Sequence, residues 1–369
     1  MKPSGSNYRF LFAGGGTGGH LFPSIAVAER IRKILPEAEF MFIGTKSKIE
    51  GRIVPKLGFN FSPIWIKGFS RKLNFDNLLF PLKLFVSLVQ SLLINIKFKP
   101  KVAIGSGGYV SGPAIWGASV MGAKVILLEQ NSYPGVTTKL LERYASEIHL
   151  SFEDSKKYFK NKYILNITGN PVRESLIRTN RQDALKHFGL DPSKRTLLIL
   201  GGSLGAGSIN KTIENFIGNN YPSDINVIWQ TGKHYFNLYK HLNSKNIIIK
   251  DFIDDMNLAY SACDLLVSRA GATTIAEIIV LGIPAILIPS PNVAENHQFY
   301  NAKSLSDRKA AILLEDNKLQ DTFAETALKV LMDKSVLEEI SNNVRSLYKV
   351  NAAEVIANNA IGYCNDVKH

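Results

Sequence analysis

Cysteine is nearly absent from this 369-residue chain. Cys263 and Cys364 stand far apart with no metal-ligand spacing, which argues against a disulfide framework or zinc site and for a reducing compartment. Acids are also short, 31 against 44 Lys and Arg, for a formal net charge of +13. That imbalance favours anionic partners, whether nucleic acid, anionic lipid or phosphorylated substrates. Low-complexity segments and short-period repeats are lacking. No apolar stretch near the N-terminus has the length of a signal-peptide core, since Phe10 to Ala13 leads straight into glycines. Long hydrophobic runs are missing with one exception, Leu78 to Ile96.

What is present begins with GGGTGGH at Gly14 to His20, between an apolar strand-like run and a stretch of helical period. Glycines there let backbone N–H groups approach an anion at a helix N-terminus, where the dipole also favours negative charge. Gly14, Gly16 and Gly19 fit the dinucleotide fingerprint, but that site wants an acid at the end of the second strand. Here Glu39 to Ile43 runs into Gly44 and Thr45 instead. A phosphate or sugar-phosphate site and a plain packing turn remain as readings of the loop.

Apolar runs alternate with helical patterns along the chain, the signature of parallel α/β units. Strands are expected at 10–13, 39–43, 102–104, 125–128 and 147–150. After Asn170-Pro171 the pattern restarts at 196–200, 226–230, 247–250, 265–268 and 285–288. The chain reads as two doubly wound domains in series, joined near Gly169 to Arg173. Ligands of such sheets collect beyond the carboxyl ends of the strands. The loops after Ile104, Leu128, Leu200 and Ser268 all carry Gly, Ser, Asn or Arg there, and the economical arrangement has the two carboxyl edges facing across a cleft.

Within these loops, Gly271-Ala272-Thr273-Thr274 suits a diphosphate, with Glu277 one turn on to accept from ribose hydroxyls. The same residues also read as a capped helix with Thr273 or Thr274 as N-cap. His20 sits in the first turn after the glycines, where the helix dipole disfavours the charged imidazole. It is a candidate base, with Glu129 as rival, or a ring that simply hydrogen-bonds the loop. The only adjacent acids near a candidate loop, Asp254 and Asp255, read as helix-start residues rather than metal ligands. No metal or other cofactor is therefore expected. Between Lys67 and Lys101, seven basic residues face one acid, Asp76, and bracket the greasy segment. That segment reads as a membrane span, a core helix or a helix docked on a bilayer surface, the basic flanks favouring the last.

Several stretches together are specific: GGGTGGHLFPSIAVAE, GSGGYVSGP, EQN at Glu129, GNPVR, GGSLGAGSIN, FIDDM, SRAGATTIAE and NHQFYNA. Over essentially the whole chain this pattern resembles the MurG family of bacterial peptidoglycan N-acetylglucosaminyltransferases. The resemblance implies a GT-B fold of two Rossmann-like domains, 1–170 plus a returning C-terminal helix at about 348–369 for acceptor and membrane, and 171–347 for the donor. It implies inverting transfer of GlcNAc from UDP-GlcNAc to the MurNAc 4-hydroxyl of lipid I, giving lipid II at the cytoplasmic face of the membrane, and the lack of paired acids makes a metal-independent transfer the expectation. Donor contacts carry over to Thr17, Gly18, Gly19, Asn131, Arg173, Ser203, Ile253, Ala272, Thr273, Thr274, Ile275, Ala276, Glu277 and Gln298; for the base the expectation is His20, with Glu129 still open. The glycine loops at Gly14 and Gly105 would hold the acceptor diphosphate. Where some members have two glutamines this chain has His297-Gln298, which puts a sugar-binding role for the first position in doubt. Another GT-B activity, a UDP-GlcNAc epimerase and a non-catalytic basic module stand as alternatives; no nucleic-acid module is visible, so no nucleic-acid partner is expected.

Overall fold

Parallel strands buried on both faces need near-continuous apolar sequence, and Phe10, Leu11, Phe12 and Ala13 are fully buried. The computed structural model describes residues 8–68, 79–202, 204–219 and 221–365. It divides into one unit of Met1–Glu174 with Lys349–His369 and a second of Ser175–Tyr348.

The first unit runs β1 (Arg9–Ala13), α1 (Gly18–Ile34), β2 (Glu39–Gly44), α2 (Ile49–Lys56), β3 (Asn60–Pro63), α3 (Phe80–Phe98), β4 (Val102–Gly105), α4 (Ser111–Val120), β5 (Lys124–Glu129), α5 (Val136–Leu141), β6 (Glu147–Leu150) and β7 (Leu165–Ile167). Its seven strands are ordered β3-β2-β1-β4-β5-β6-β7 and their pairings are parallel. Side chains alternate between two cores with the period of two that strands impose. Phe10, Phe12, Phe42 and Ile104 pack with α1 and the C-terminal helix Ala352–Asn365. Leu11, Ala13, Ala103 and Leu127 pack with α4 on the opposite face.

The second unit runs α6 (Arg181–Phe188), β8 (Arg195–Leu200), α7 (Gly207–Asn219), β9 (Ile225–Gln230), α8 (Phe236–Tyr239), β10 (Ile247–Lys250), α9 (Met256–Ala262), β11 (Leu265–Arg269), α10 (Ala272–Leu281), β12 (Ala285–Ile288), α11 (His297–Ser306), β13 (Ile312–Leu313), α12 (Leu319–Met332) and α13 (Lys334–Ser346). Its parallel strands are ordered β10-β9-β8-β11-β12-β13. Strand order reverses between β1 and β4 in the first sheet and between β8 and β11 in the second. Each reversal opens a crevice at the carboxyl ends, and the glycine loops of both units lie there.

Three strands had no counterpart in the expected set: β3, β7 and β13. All lie at or beside a sheet edge and carry mostly half-exposed residues, so they lack the apolar run that marks a central strand.

Helix α3 turns its polar stripe inward. Lys83, Ser87, Ser91 and Asn95 are buried, whereas Leu82, Phe85, Val89, Leu93 and Ile96 are 43–65% exposed. The short buried side chains let α3 approach α4 closely: a Cβ on Gly117 would sit 3.0 Å from Asn95 Nδ2. Some of their polar groups are served by the helix itself, Ser87 Oγ donating to the Leu84 carbonyl at 2.7 Å and Asn95 Nδ2 to the Ser91 carbonyl at 2.8 Å, while Ser91 Oγ and Asn95 Oδ1 are buried without a hydrogen-bond partner. By length and composition α3 passes for a membrane span. Its packing against α4 makes it an integral part of the first unit, and its outer face is a continuous apolar surface.

Candidate active site

In the first unit the β1–α1 loop is fixed by side chains. Glu50 on α2, 1% exposed, accepts from the N–H of Gly16 and of Thr45, each at 3.0 Å. Just after β4, Ser106 Oγ donates to the His20 carbonyl at 2.6 Å, and Ser24 Oγ donates to Ser106 Oγ at 2.8 Å. Gly108, at φ +77, comes so near that a Cβ there would lie 2.7 Å from the Gly15 carbonyl oxygen. Only glycine suits both the conformation and the contact.

This framework orients His20. Its Nδ1 lies 2.8 Å from the Ser106 carbonyl oxygen and 3.3 Å from Gln130 Oε1. Both neighbours accept, so Nδ1 carries the proton and Nε2 keeps its lone pair, the tautomer a general base requires. Helix α1 has Thr17 at its N-cap with no side-chain cap, so the Gly18 and Gly19 N–H groups have no carbonyl one turn back. Thr17 is exposed, and Gly18, Gly19 and His20 are half-buried.

Glu129, the rival base, is 2% exposed. It accepts from the Asn131 N–H at 3.0 Å, Asn131 Nδ2 at 3.4 Å and the Gly135 N–H at 3.1 Å. Burial pushes its carboxyl up to about 7 against these hydrogen bonds and one from Thr138. Such a group holds the loop after β5, Asn131 included. Arg173 is exposed and falls on the N-terminal side of the division between the units.

In the second unit, α10 starts from Gly271 with no side-chain cap, so neither Thr273 nor Thr274 caps it. The helix offers bare first-turn N–H groups from Ala272, Thr273 and Thr274, and Thr273 Oγ1 is buried without a hydrogen-bond partner. A buried hydroxyl left so at a helix N-terminus suits an incoming anion. One turn on, Glu277 Oε2 accepts from Tyr260 OH at 2.7 Å, while Ile275 and Ala276 are buried in packing. Gln230, at the end of β9, accepts from the Ile253 N–H at 2.9 Å and donates to the Gly202 carbonyl at 3.2 Å. The Ile253 N–H is thereby committed to Gln230. Gln298 Oε1 accepts from the Ser290 N–H at 2.9 Å, leaving its amide NH2 as donor; His297 beside it is half-buried at the start of α11. Asp255 caps α9 through the N–H groups of Asn257 and Leu258 at 3.1 and 3.2 Å, in line with its reading as a helix-start residue. Ser203 lies outside the described residues.

Residues 10–150 match the glycosyltransferase family 28 N-terminal domain and residues 196–359 its C-terminal domain. A curated protein of Flavobacterium psychrophilum, named a UDP-N-acetylglucosamine–N-acetylmuramyl-(pentapeptide) pyrophosphoryl-undecaprenol N-acetylglucosamine transferase, is 43% identical over 358 residues, 96% of this chain and 97% of that one. The chain belongs to the MurG family. A Cytophaga hutchinsonii protein of the same name is 40% identical over 98% of this MurG-family chain and 99% of its own length. Among solved structures, Acinetobacter baumannii MurG superposes with a TM-score of 0.77 at 26% identity, covering 96% of this chain and 99% of that one. The calicheamicin glycosyltransferase CalG4, at 12% identity and a TM-score of 0.71, covers 98% and 99% and shares the fold alone. This MurG-family chain is thus a glycosyltransferase built from two Rossmann-like α/β domains.

Sequence reasoning missed Glu50, Ser106, Gln130, Tyr260 and Gln230 as supports of the site. Only Ser106 and Gln130 carried a signal, lying inside the motif stretches GSGGYVSGP and EQN.

Proposed function

We propose that this chain moves GlcNAc from UDP-GlcNAc to the 4-hydroxyl of the MurNAc of lipid I, forming lipid II with inversion and without a metal ion. The observation that carries the reading is His20, whose Nδ1 is spent on the Ser106 carbonyl. Its Nε2 takes the proton of the acceptor hydroxyl as that oxygen attacks the anomeric carbon, and the bond to UDP breaks on the opposite face. Charge developing on the departing diphosphate meets the bare N–H groups and dipole of α10. Glu277 receives the ribose hydroxyls, Ile253 the uracil edge, and Asn131 and Gln298 the sugar; Arg173 and Ser203 complete the diphosphate contacts. Metal independence is supported by Asp255, whose carboxylate is committed to α9.

The apolar face of α3, with Lys97, Lys99 and Lys101 close behind it, is the surface through which the enzyme rests on anionic lipid at the cytoplasmic face of the membrane. Nucleic acid has no part in this reading. The test is UDP release from UDP-GlcNAc with and without a lipid I analogue, in detergent and chelator. Acceptor-dependent release that survives the chelator is expected. Donor binding without acceptor-dependent turnover would move the assignment to an epimerase or another acceptor.

A further inference from the structure

Strand β9 lies between β8 and β10 in the second sheet, and its last residue, Gln230, stands opposite Leu200 on one side and Lys250 on the other. Both neighbouring strands end at those residues. Beyond β10 the chain reaches Ile253, and beyond β8 it enters the glycine-rich loop. The Gln230 side chain, 5% exposed, holds both at once. Its Oε1 accepts from the Ile253 N–H at 2.9 Å and its Nε2 donates to the Gly202 carbonyl at 3.2 Å. An N–H on one side and a carbonyl on the other fix which end of the amide is oxygen.

The backbone on either side of Gln230 is itself pinned. Asn210 on α7 accepts from the Trp229 indole N–H at 3.1 Å and donates to the Thr231 carbonyl at 2.9 Å, while the Thr231 N–H donates to the Lys250 carbonyl at 3.0 Å. The glycine-rich loop is pressed against the same end of β9. At Gly205, φ +81, a Cβ would run into the Thr231 carbonyl oxygen, and at Gly232, φ +84, one would run into the Gly205 nitrogen. Only glycine suits both the conformation and the contact at these two positions. A buried amide is costly unless both its ends are paired, and here the pairing joins two loops rather than stabilising one.

The proposed reaction gives Ile253 to the uracil edge and the loop after β8 to the diphosphate. Resting on that reading, we infer that Gln230 is a positioning residue that fixes the spacing between the nucleoside seat and the diphosphate seat, so that the donor site selects a nucleoside diphosphate over its nucleoside alone. The experiment measures, by calorimetry on the full chain, the dissociation constants of UDP and of uridine, and reads their ratio. Gln230→Met fills a similar volume with neither hydrogen bond. It is expected to reduce the preference for UDP over uridine roughly tenfold. Gln230→Asn keeps the amide but is too short to span both loops, and is expected to reduce the same ratio; it carries the test if the Met chain does not fold. A ratio left at the wild-type value, whether both ligands weaken equally or neither does, overturns the inference by assigning Gln230 to general packing. A wild-type chain that binds UDP no more tightly than uridine would instead sink the donor site of the proposed reaction, and the inference with it.

Discussion

The two switch points of this molecule share a topology and differ in what fills them. After β1, side chains from three other elements grip the glycine loop: Glu50 from α2, Ser106 following β4 and Gln130 following β5. After β11, the turn into α10 has no side-chain cap, and Thr273 Oγ1 is left unpartnered. A loop gripped by side chains holds a titratable ring in one tautomer, which suits proton transfer. A helix end left bare keeps its N–H groups for an anion, which suits holding a leaving group. Under the proposed reaction, one fold supplies a base and a seat for the leaving group by where it spends its polar side chains.

The largest effect should come from the ring itself. His20→Ala is expected to lower kcat by about 10²–10⁴ with UDP affinity preserved, measured by steady-state kinetics and direct titration of UDP. Turnover near wild type would break the contrast and return the role of base to another group. A smaller effect is expected in the second unit, where Glu277→Gln keeps an acceptor for Tyr260 OH but removes the charge facing the ribose. The KM for UDP-GlcNAc should rise roughly tenfold with kcat less affected; a loss confined to kcat would show that this half also acts in the chemical step.

The smallest effect concerns how the first unit is closed. Glu147 accepts from His149 Nε2 at 2.9 Å, Tyr363 OH at 2.7 Å and Asn359 Nδ2 at 2.8 Å. The hydrogen bond with His149 leads in holding its carboxyl down to about 2, against the opposing pull of burial. Its stabilising contribution is therefore complete above the ordinary carboxylate range and is lost as pH falls through about 2. Glu147→Gln should lower the melting temperature by a few degrees at neutral pH and converge with wild type in strong acid, as followed by thermal scans across pH. A constant gap at all pH values would assign the effect to packing alone.

Much of this architecture was legible in the residues. The alternation of apolar runs gave the central strands, because those strands are buried on both faces, and the glycine loops marked both switch points. Edge strands such as Asn60–Pro63 escaped, since half-exposed backbone needs no apolar run. In the sequence the polar residues Lys83, Ser87, Gln90, Ser91 and Asn95 recur every three or four positions along an apolar segment, but nothing there gives the direction they face. Polar residues normally face water, and only the closeness of Gly117 to Asn95 and the bond of Ser87 Oγ to its own helix help explain why Lys83, Ser87, Ser91 and Asn95 are buried. Glu50 was invisible for the same kind of reason: within IEGRIV nothing separates a carboxylate aimed at two backbone N–H groups from one aimed at solvent.

The C-terminal helix has a consequence for how the molecule comes into being. Ala352, Ile356, Ala357 and Ala360 belong to the same core as Phe10, Phe12 and Leu21, so the second unit is an insertion within the first. On the ribosome, residues 175–348 can complete their own core before residues 352–365 have been made. The strands begun at Arg9 must wait, with one face of their sheet open to water or to a chaperone, until that late helix arrives. The part of the protein synthesised first is thus the part finished last.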